Sequence, residues 1–250
     1  MSKSLNRAID ILELFLQRDG RLNLTEIYRL TGINPATTYR LISTLVNRGY
    51  LSDLEKNGEY SLGLKMIDFS YATRRDLKIV DNAYYFLNKL SKEQGFDVYL
   101  TVLDNHMALV VEEIGNTDEM RINSPVGKRM PLHSTACGKV LLASLSEEER
   151  KSFYERHRLE SFTKNTITRP SQLENELITV KEEGVAFDNE EYRLGIWVAA
   201  SPIYNGNGTV CAAAGIIAPL SRINTDNVKK IAVEIKSCTA KISQVIRRIT

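Results

Sequence analysis

Residues 23–49 read NLTEIYRLTGINPATTYRLISTLVNRG, and the order of caps, glycines and apolar spacings in this stretch decides the fold of the first third of the chain. Asn23 stands where a side-chain oxygen can accept from the free amides of a helix start. Glu26, three residues on, can reach back to the Asn23 amide as in a capping box. The helix so begun carries Ile27 and Leu30 and stops at Gly32. Asn34-Pro35 opens the next helix, because proline suits a first helical position, where its missing donor would have no partner. Thr38, Leu41, Ile42 and Leu45 then fall at i, i+3, i+4 and i+7, one buried stripe, before Gly49 closes the run. Only Thr31 to Asn34 separate the two helices. So short a joint forces a steep crossing, the helix-turn-helix geometry.

Upstream, Leu5, Ile9, Leu12, Leu14, Phe15 and Leu16 predict a helix that ends at Gly20. Downstream, Tyr50-Leu51-Ser52-Asp53-Leu54 and Glu59-Tyr60-Ser61-Leu62 flank Asn57-Gly58, the strongest short hairpin signal. Three helices and a hairpin make a winged helix-turn-helix. With Thr38, Leu41, Ile42 and Leu45 turned inward, Ala36, Thr37, Tyr39, Arg40, Ser43, Thr44 and Asn47 face out. No carboxylate occurs between Glu26 and Asp53, whereas Arg29, Arg40 and Arg48 do. Arg40 can donate two bonds to a guanine edge, and the hydroxyls and Tyr39 can reach phosphates or thymine methyls. Thr25, Asn34 and Lys56 complete the expected set of DNA-contacting residues.

The 250-residue chain, 43% hydrophobic and 26% charged, is globular in composition and long enough for two domains. Residues 1–75 hold 11 Lys and Arg against 8 Asp and Glu, and residues 76–250 hold 22 against 23. A small basic segment joined to a larger neutral one is the charge layout of a reader and a sensor. Three cysteines, Cys137, Cys211 and Cys238, form no C-x-x-C pair, which disfavours a disulfide framework or zinc ribbon and fits a reducing compartment. No run of about 18 apolar residues occurs and the N-terminus reads as helix, so a soluble cytoplasmic protein with no membrane partner is expected. A linker helix is predicted over Leu64–Arg75, closing a first domain at residues 1–75. Residues 76–250 then alternate helices with hairpin strands, including Val98–Leu103, Met107–Val111, Arg121–Asn123, Ile196–Tyr204 and Val210–Ala218. The fold class is α+β, with an antiparallel sheet expected to carry its helices on one side.

Several stretches resemble the IclR family of bacterial and archaeal transcriptional regulators. They are Arg7-Ala8-Ile9-Asp10-Ile11-Leu12-Glu13, Tyr39-Arg40-Leu41-Ile42-Ser43-Thr44-Leu45 and Gly58-Glu59-Tyr60-Ser61-Leu62-Gly63, then Pro131-Leu132-His133-Ser134-Thr135-Ala136-Cys137-Gly138-Lys139 and Phe187-Asp188-Asn189-Glu190-Glu191-Tyr192. The resemblance spans nearly the whole chain in order. It implies a winged DNA-binding domain joined by a helix to a GAF-like effector-binding domain, assembled as a homodimer or homotetramer on pseudo-palindromic double-stranded DNA, with no cofactor. It also implies that the turn at Thr135, Ala136 and Cys137 holds a small organic acid. Positions matching Ile122, Met130, Asp188, Ile196, Val198, Gly215 and Ile217 would line that cavity. From the residues alone, Ser134–Gly138 brings a loop into a helix, where free amides and the helix dipole favour a carboxylate. Val198 stands where the family commonly has Cys, and Gly215 and Ile217 where members that bind short polar acids have Ser. Loss of these polar groups predicts an acid with an aromatic or branched apolar body, each Å2 of which contributes about 25 cal/mol on burial.

Two other function classes compete. His133, Cys137 and Asp188 could form a nucleophilic triad, since a thiol at a helix start tends to ionise; against this, a lone cysteine usually packs, and a histidine two residues before a helix usually caps or packs. A winged helix can also contact a protein instead of DNA. His106 and His157 have no ligand spacing, so no metal is expected. Glu190-Glu191 beside Asp188 could form a cation site but reads rather as a solvated acidic loop, leaving Asp188 as the polar group of the cavity, and Trp197, alternating with Ile196 and Val198, should face away from it.

Overall fold

The computed structural model describes residues 2–16, 20–54, 58–115 and 125–249. Helix α1, Lys3–Leu14, turns Ile11 into the core with Phe15 just past its end, whereas Leu5, Ile9 and Leu16 are exposed. The predicted stripe therefore omits Ile11, which lies four residues before Phe15 on the inner face, and includes Leu5, Ile9 and Leu16, which do not lie there. The helix also stops well before Gly20. Strand β1, Leu22–Asn23, is followed by α2, Leu24–Thr31, α3, Pro35–Asn47, β2, Leu51–Leu54, β3, Glu59–Leu62, and α4, Lys65–Asp76. The capping box forms: Asn23 Oδ1 accepts from the Glu26 amide at 3.0 Å and Glu26 Oε2 from the Asn23 amide at 2.8 Å. Gly32 ends α2 at φ 67°, a left-handed conformation that suits glycine. Asn34 Oδ1 accepts from the Thr37 amide at 2.9 Å with Pro35 opening the helix.

Strands pair antiparallel in the order β1-β3-β2, with Leu51 opposite Leu62 and Leu54 opposite Glu59; residues 55–57 of the hairpin lie outside the described set. Ile11, Ile27, Ile33, Ile42, Leu45 and Leu51 form the core of this unit. Thr38 is buried among them because its hydroxyl donates to the Ile33 and Asn34 carbonyls. No residue of α4 is buried, although Phe69 stacks on Tyr50 at 5.7 Å. The chain divides into two compact units, Met1–Asp76 and Leu77–Thr250.

The second unit runs α5, Ile79–Gln94, β4, Asp97–Asp104, β5, Met107–Ile114, β6, Arg129–Pro131, α6, Ala136–Ala143, α7, Glu147–Arg156, and α8, Pro170–Glu183. It continues β7, Ala186–Asn189, β8, Ile196–Tyr204, β9, Val210–Pro219, a 3-10 turn at Leu220–Arg222, and α9, Thr225–Ile246. Among the described residues, six strands form one antiparallel sheet in the order β6-β5-β4-β9-β8-β7. Helices cover both of its faces, not one: Trp197, Ala199, Ala214 and Ile216 pack with α5 and α9, whereas Tyr99, Val198, Ala213 and Ile217 pack with α6 and α8. The sequence carried this signal in the unbroken apolar runs of β8 and β9, which mark strands buried on both sides. Trp197 does face away from Val198. The short strands β6 and β7 have too few residues to show a period, and the strand expected at Arg121–Asn123 lies outside the described residues.

All eight residues of α6 are buried, Lys139 among them at 0% exposure. Its ammonium lies 2.7 Å from Glu191 Oε1 and 2.9 Å from Glu176 Oε1 on α8. A buried charge is tolerated only when paired. Lys139→Met would strand the Glu191 carboxylate and destabilise the second unit by about 3–5 kcal/mol. Calorimetry should show its melting temperature falling by roughly 10 °C, and adding Glu191→Gln should restore part of the loss. An unchanged transition would mean that the ion pair contributes nothing.

Candidate functional site

On α3, Ala36, Tyr39, Arg40, Thr44 and Asn47 are exposed and Thr37 and Ser43 half-buried, so the expected reading residues share the outer face. Tyr39 is 59% exposed. Thr25 and Asn34 are exposed at the starts of α2 and α3, and Lys56 lies outside the described residues. Two of these groups are partly committed. The Thr44 hydroxyl donates to the Arg40 carbonyl at 2.9 Å, so outward it offers its methyl and a lone pair. Asn34 Oδ1 is taken by the Thr37 amide, which leaves its own NH2 free to donate. Among the described residues Arg40 has no acidic partner, and residues 27–52 contain no carboxylate to repel a phosphate backbone.

In the second unit a cavity opens between the sheet and α6. Six expected residues line it: Met130, Thr135, Asp188, Ile196, Val198 and Ile217. Tyr99, Lys128, Tyr192 and Arg193 line it too, and sequence reasoning missed them because nothing local links four side chains from three separate segments. The cavity volume, about 20 Å3, is room for about one water. Ile122 lies outside the described residues.

Ala136, Cys137 and Gly215 stand behind the cavity wall instead of on it. A Cβ on Gly215 would lie 2.9 Å from Cys137 Sγ and 3.1 Å from Tyr99 Cζ, so glycine here makes room for the phenol ring. The floor is accordingly more polar than Val198, Gly215 and Ile217 suggested, because Tyr99 on β4 brings a hydroxyl into the space. That hydroxyl and the Cys137 thiol both lie beside Gly215. Thr135 caps α6: its Oγ1 accepts from the Gly138 amide at 3.1 Å and donates to the Pro131 carbonyl at 2.8 Å.

Asp188, 2% exposed, accepts on Oδ1 from the amides of Glu191, at 2.7 Å, and Tyr192, at 3.3 Å. Burial pushes its carboxyl up to about 7, against the pull of those amides and of the Lys139 ammonium. Burial likewise pushes the Cys137 thiol up to about 12, which keeps it protonated and unfit as a nucleophile at neutral pH. His133, whose pKa burial lowers, directs Nε2 at the Glu160 carbonyl, 2.9 Å away, and stacks on Phe162. These two residues pack.

Glu190-Glu191 is not the solvated loop expected. Glu191 is buried on Lys139, so the cation held by this acidic turn is the chain's own ammonium, 52 residues away in sequence. The rings of His106 and His157 meet at 5.2 Å and, with His133, line a second hollow of about 290 Å3. Among the described residues no group of three His, Cys, Asp or Glu is placed to hold a metal. No described helix is long and apolar enough to cross a membrane.

Comparison with known proteins matches residues 4–54 to the IclR helix-turn-helix domain and residues 70–244 to the C-terminal domain of the bacterial transcriptional regulator IclR. The chain belongs to the IclR family of DNA-binding transcriptional regulators. It is 32% identical over 233 residues to the acetate operon repressor of Salmonella typhimurium, covering 92% of this chain and 84% of that protein. Identity to the transcriptional repressor IclR of Escherichia coli is 31% over 230 residues, covering 90% and 83%. Among solved structures, Thermotoga maritima IclR superposes with a TM-score of 0.81 at 27% identity over 98% of both chains. A Rhodococcus transcriptional regulator reaches 0.90 at 24% identity over the full length of both.

An acid whose pKa in the fold exceeds its unfolded value stabilises fully below the unfolded value and loses that contribution as pH rises through the folded one. For Asp188 the window runs from about pH 4 to about 7. Denaturant titrations at pH 5 and pH 8 should show the native protein losing stability relative to the Asp188→Asn variant at the higher pH. A difference that does not change with pH would contradict this environment for the carboxyl.

Proposed function

We propose that this family member is an acid-responsive repressor, a homodimer or homotetramer whose paired α3 helices enter successive major grooves of a pseudo-palindrome about one turn apart. The observation that carries the effector half of this reading is the cavity walled by the capped start of α6 and by Asp188, in a unit separate from the one bearing the acid-free α3 face. In this reading Arg40 reads a guanine edge and Ala36 a thymine methyl. Tyr39, Thr37, Ser43, Thr44, Asn47, Thr25, Asn34 and Lys56 hold the backbone and neighbouring base edges.

A carboxylate approaches the amides of Ala136 and Cys137 and the Thr135 cap. Its apolar body lies on Met130, Ile196, Val198 and Ile217, with Ile122 and Gly215 shaping the space and Asp188 giving polarity. The relatives named as repressors support the sign of the response. A neighbour from Microbacterium hydrocarbonoxydans, of the same fold at 20% identity and TM-score 0.88, was crystallised with 4-hydroxybenzoate, which supports an aromatic acid in this fold. Acid binding alters DNA affinity only by its differential affinity for the two arrangements of the protein. Acting on DNA with no catalytic step, the protein works in the cytoplasm.

Arg40→Ala should weaken operator binding by about 1–3 kcal/mol and relax sequence discrimination. For the native protein, log K should fall by roughly 0.9 per neutralised phosphate per decade of salt, measured by fluorescence anisotropy. A salt-independent affinity would favour a protein partner for the wing. In a thermal-shift series, benzoate should raise the melting temperature more than pyruvate at equal concentration; the reverse order would overturn the apolar-body assignment.

A further inference from the structure

The cavity grades from a closed floor to an open rim. Tyr99, Met130, Thr135, Asp188, Val198 and Ile217 are buried, Lys128, Tyr192 and Ile196 are half-buried, and Arg193 is exposed. Among the described lining residues, both side chains with a permanent charge at the rim are therefore positive. Among the described residues neither Lys128 nor Arg193 is in an ion pair.

The two cations bear on each other. Burial and the like charge of Arg193 hold the Lys128 ammonium below its usual range, and the opposing influence of Glu113 is the smaller. Lys128 also lies over the Tyr192 ring, 5.6 Å from its centroid, which fixes it beside the opening. Arg193 follows Tyr192, whose amide is bonded to Asp188 Oδ1, so the floor carboxyl anchors the segment that carries the rim cation. Like charges held together in a partly desolvated place favour an anion between them.

We infer that the acid bound in this cavity carries a second anionic group, held at the rim by Lys128 and Arg193, so that the effector is a dicarboxylate with an apolar middle. This deepens the effector reading above and rests on it. The carboxylate at the floor meets Thr135 and the start of α6, the middle lies on Met130, Ile196 and Ile217, and the far carboxylate neutralises the rim. The cation pair is then a selectivity device. A monoacid of equal size leaves the repulsion in place, and a diacid removes it.

The test uses full-length protein and two matched pairs of acids, terephthalate against 4-methylbenzoate and adipate against hexanoate, titrated calorimetrically. Within at least one pair the diacid should bind roughly ten-fold tighter, about 1.4 kcal/mol. The double substitution Lys128→Gln and Arg193→Gln should abolish that preference, the diacid losing roughly ten-fold more affinity than the matching monoacid. Circular dichroism and an unchanged melting temperature of the ligand-free variant would establish that it folds. Equal affinities within both pairs, or a preference that survives the double substitution, would overturn the second anion and leave the cavity as a monoacid site. Failure of all four acids to bind would overturn this proposal together with the effector reading beneath it.

Discussion

The second unit depends on one buried charge. Lys139 reaches from α6 through the interior to meet Glu191 beyond β7 and Glu176 on α8, and its ammonium is sealed from water. An isolated ammonium there would cost several kcal/mol, so the two carboxylates are a condition of the fold rather than an ornament to it. Consequences spread along the chain from that contact. With Glu191 fixed, its amide and that of Tyr192 are presented to Asp188, and the turn folds around the carboxyl at the cavity floor. The same turn positions Tyr192 and Arg193 at the rim. One lysine thus holds both ends of the cavity in register with the helix whose start closes it.

The opposite wall depends on a size exchange. Tyr99 and Gly215 face each other across β4 and β9, where they pair in register, and a side chain on residue 215 would collide with both the phenol and the Cys137 sulfur. Glycine here is therefore a statement about Tyr99. The polar group that a serine would have supplied arrives from the neighbouring strand, attached to a ring that lines the cavity. This is why the floor is tight, and why an apolar reading of Gly215 taken alone overstates its character.

How much could be read in advance follows the range of the interactions. The reader was legible nearly throughout, because Asn23 with Glu26, Asn34 with Pro35, and Gly32 act within four residues of themselves. On α1 the stripe was misjudged because Leu5, Ile9 and Leu16 make a face as regular as that of Ile11 and Phe15, and burial alone distinguishes them. The cavity was legible only where a motif or a resemblance named its residues. Lys128, Tyr192 and Arg193 belong to it through the closure of β6 and the turn after β7, two segments more than 60 residues apart. Glu191 looked solvated for the same reason: its partner stands on another element.

The size of the cavity bears on how such a protein responds. Dry cavities that accept benzene measure about 150 Å3, whereas this one measures about 20 Å3. On the proposed function, an acid with any apolar body would therefore bind a different arrangement of the lining, and its effect on that arrangement equals its differential affinity for the two. The parts free to give way are not equivalent. Asp188, Glu191 and the start of α6 are tied by Lys139 and by amide bonds, and Tyr99 is wedged against Cys137. Lys128, Arg193 and the ring of Tyr192 are the more exposed. The Tyr192 amide ties that rim to Asp188, and Glu191 beside it is paired with Lys139 on α6, which also meets Glu176 on α8. On the proposed function, the rim that meets the ligand is in this way joined through Asp188, Glu191 and Lys139 to α6 and α8.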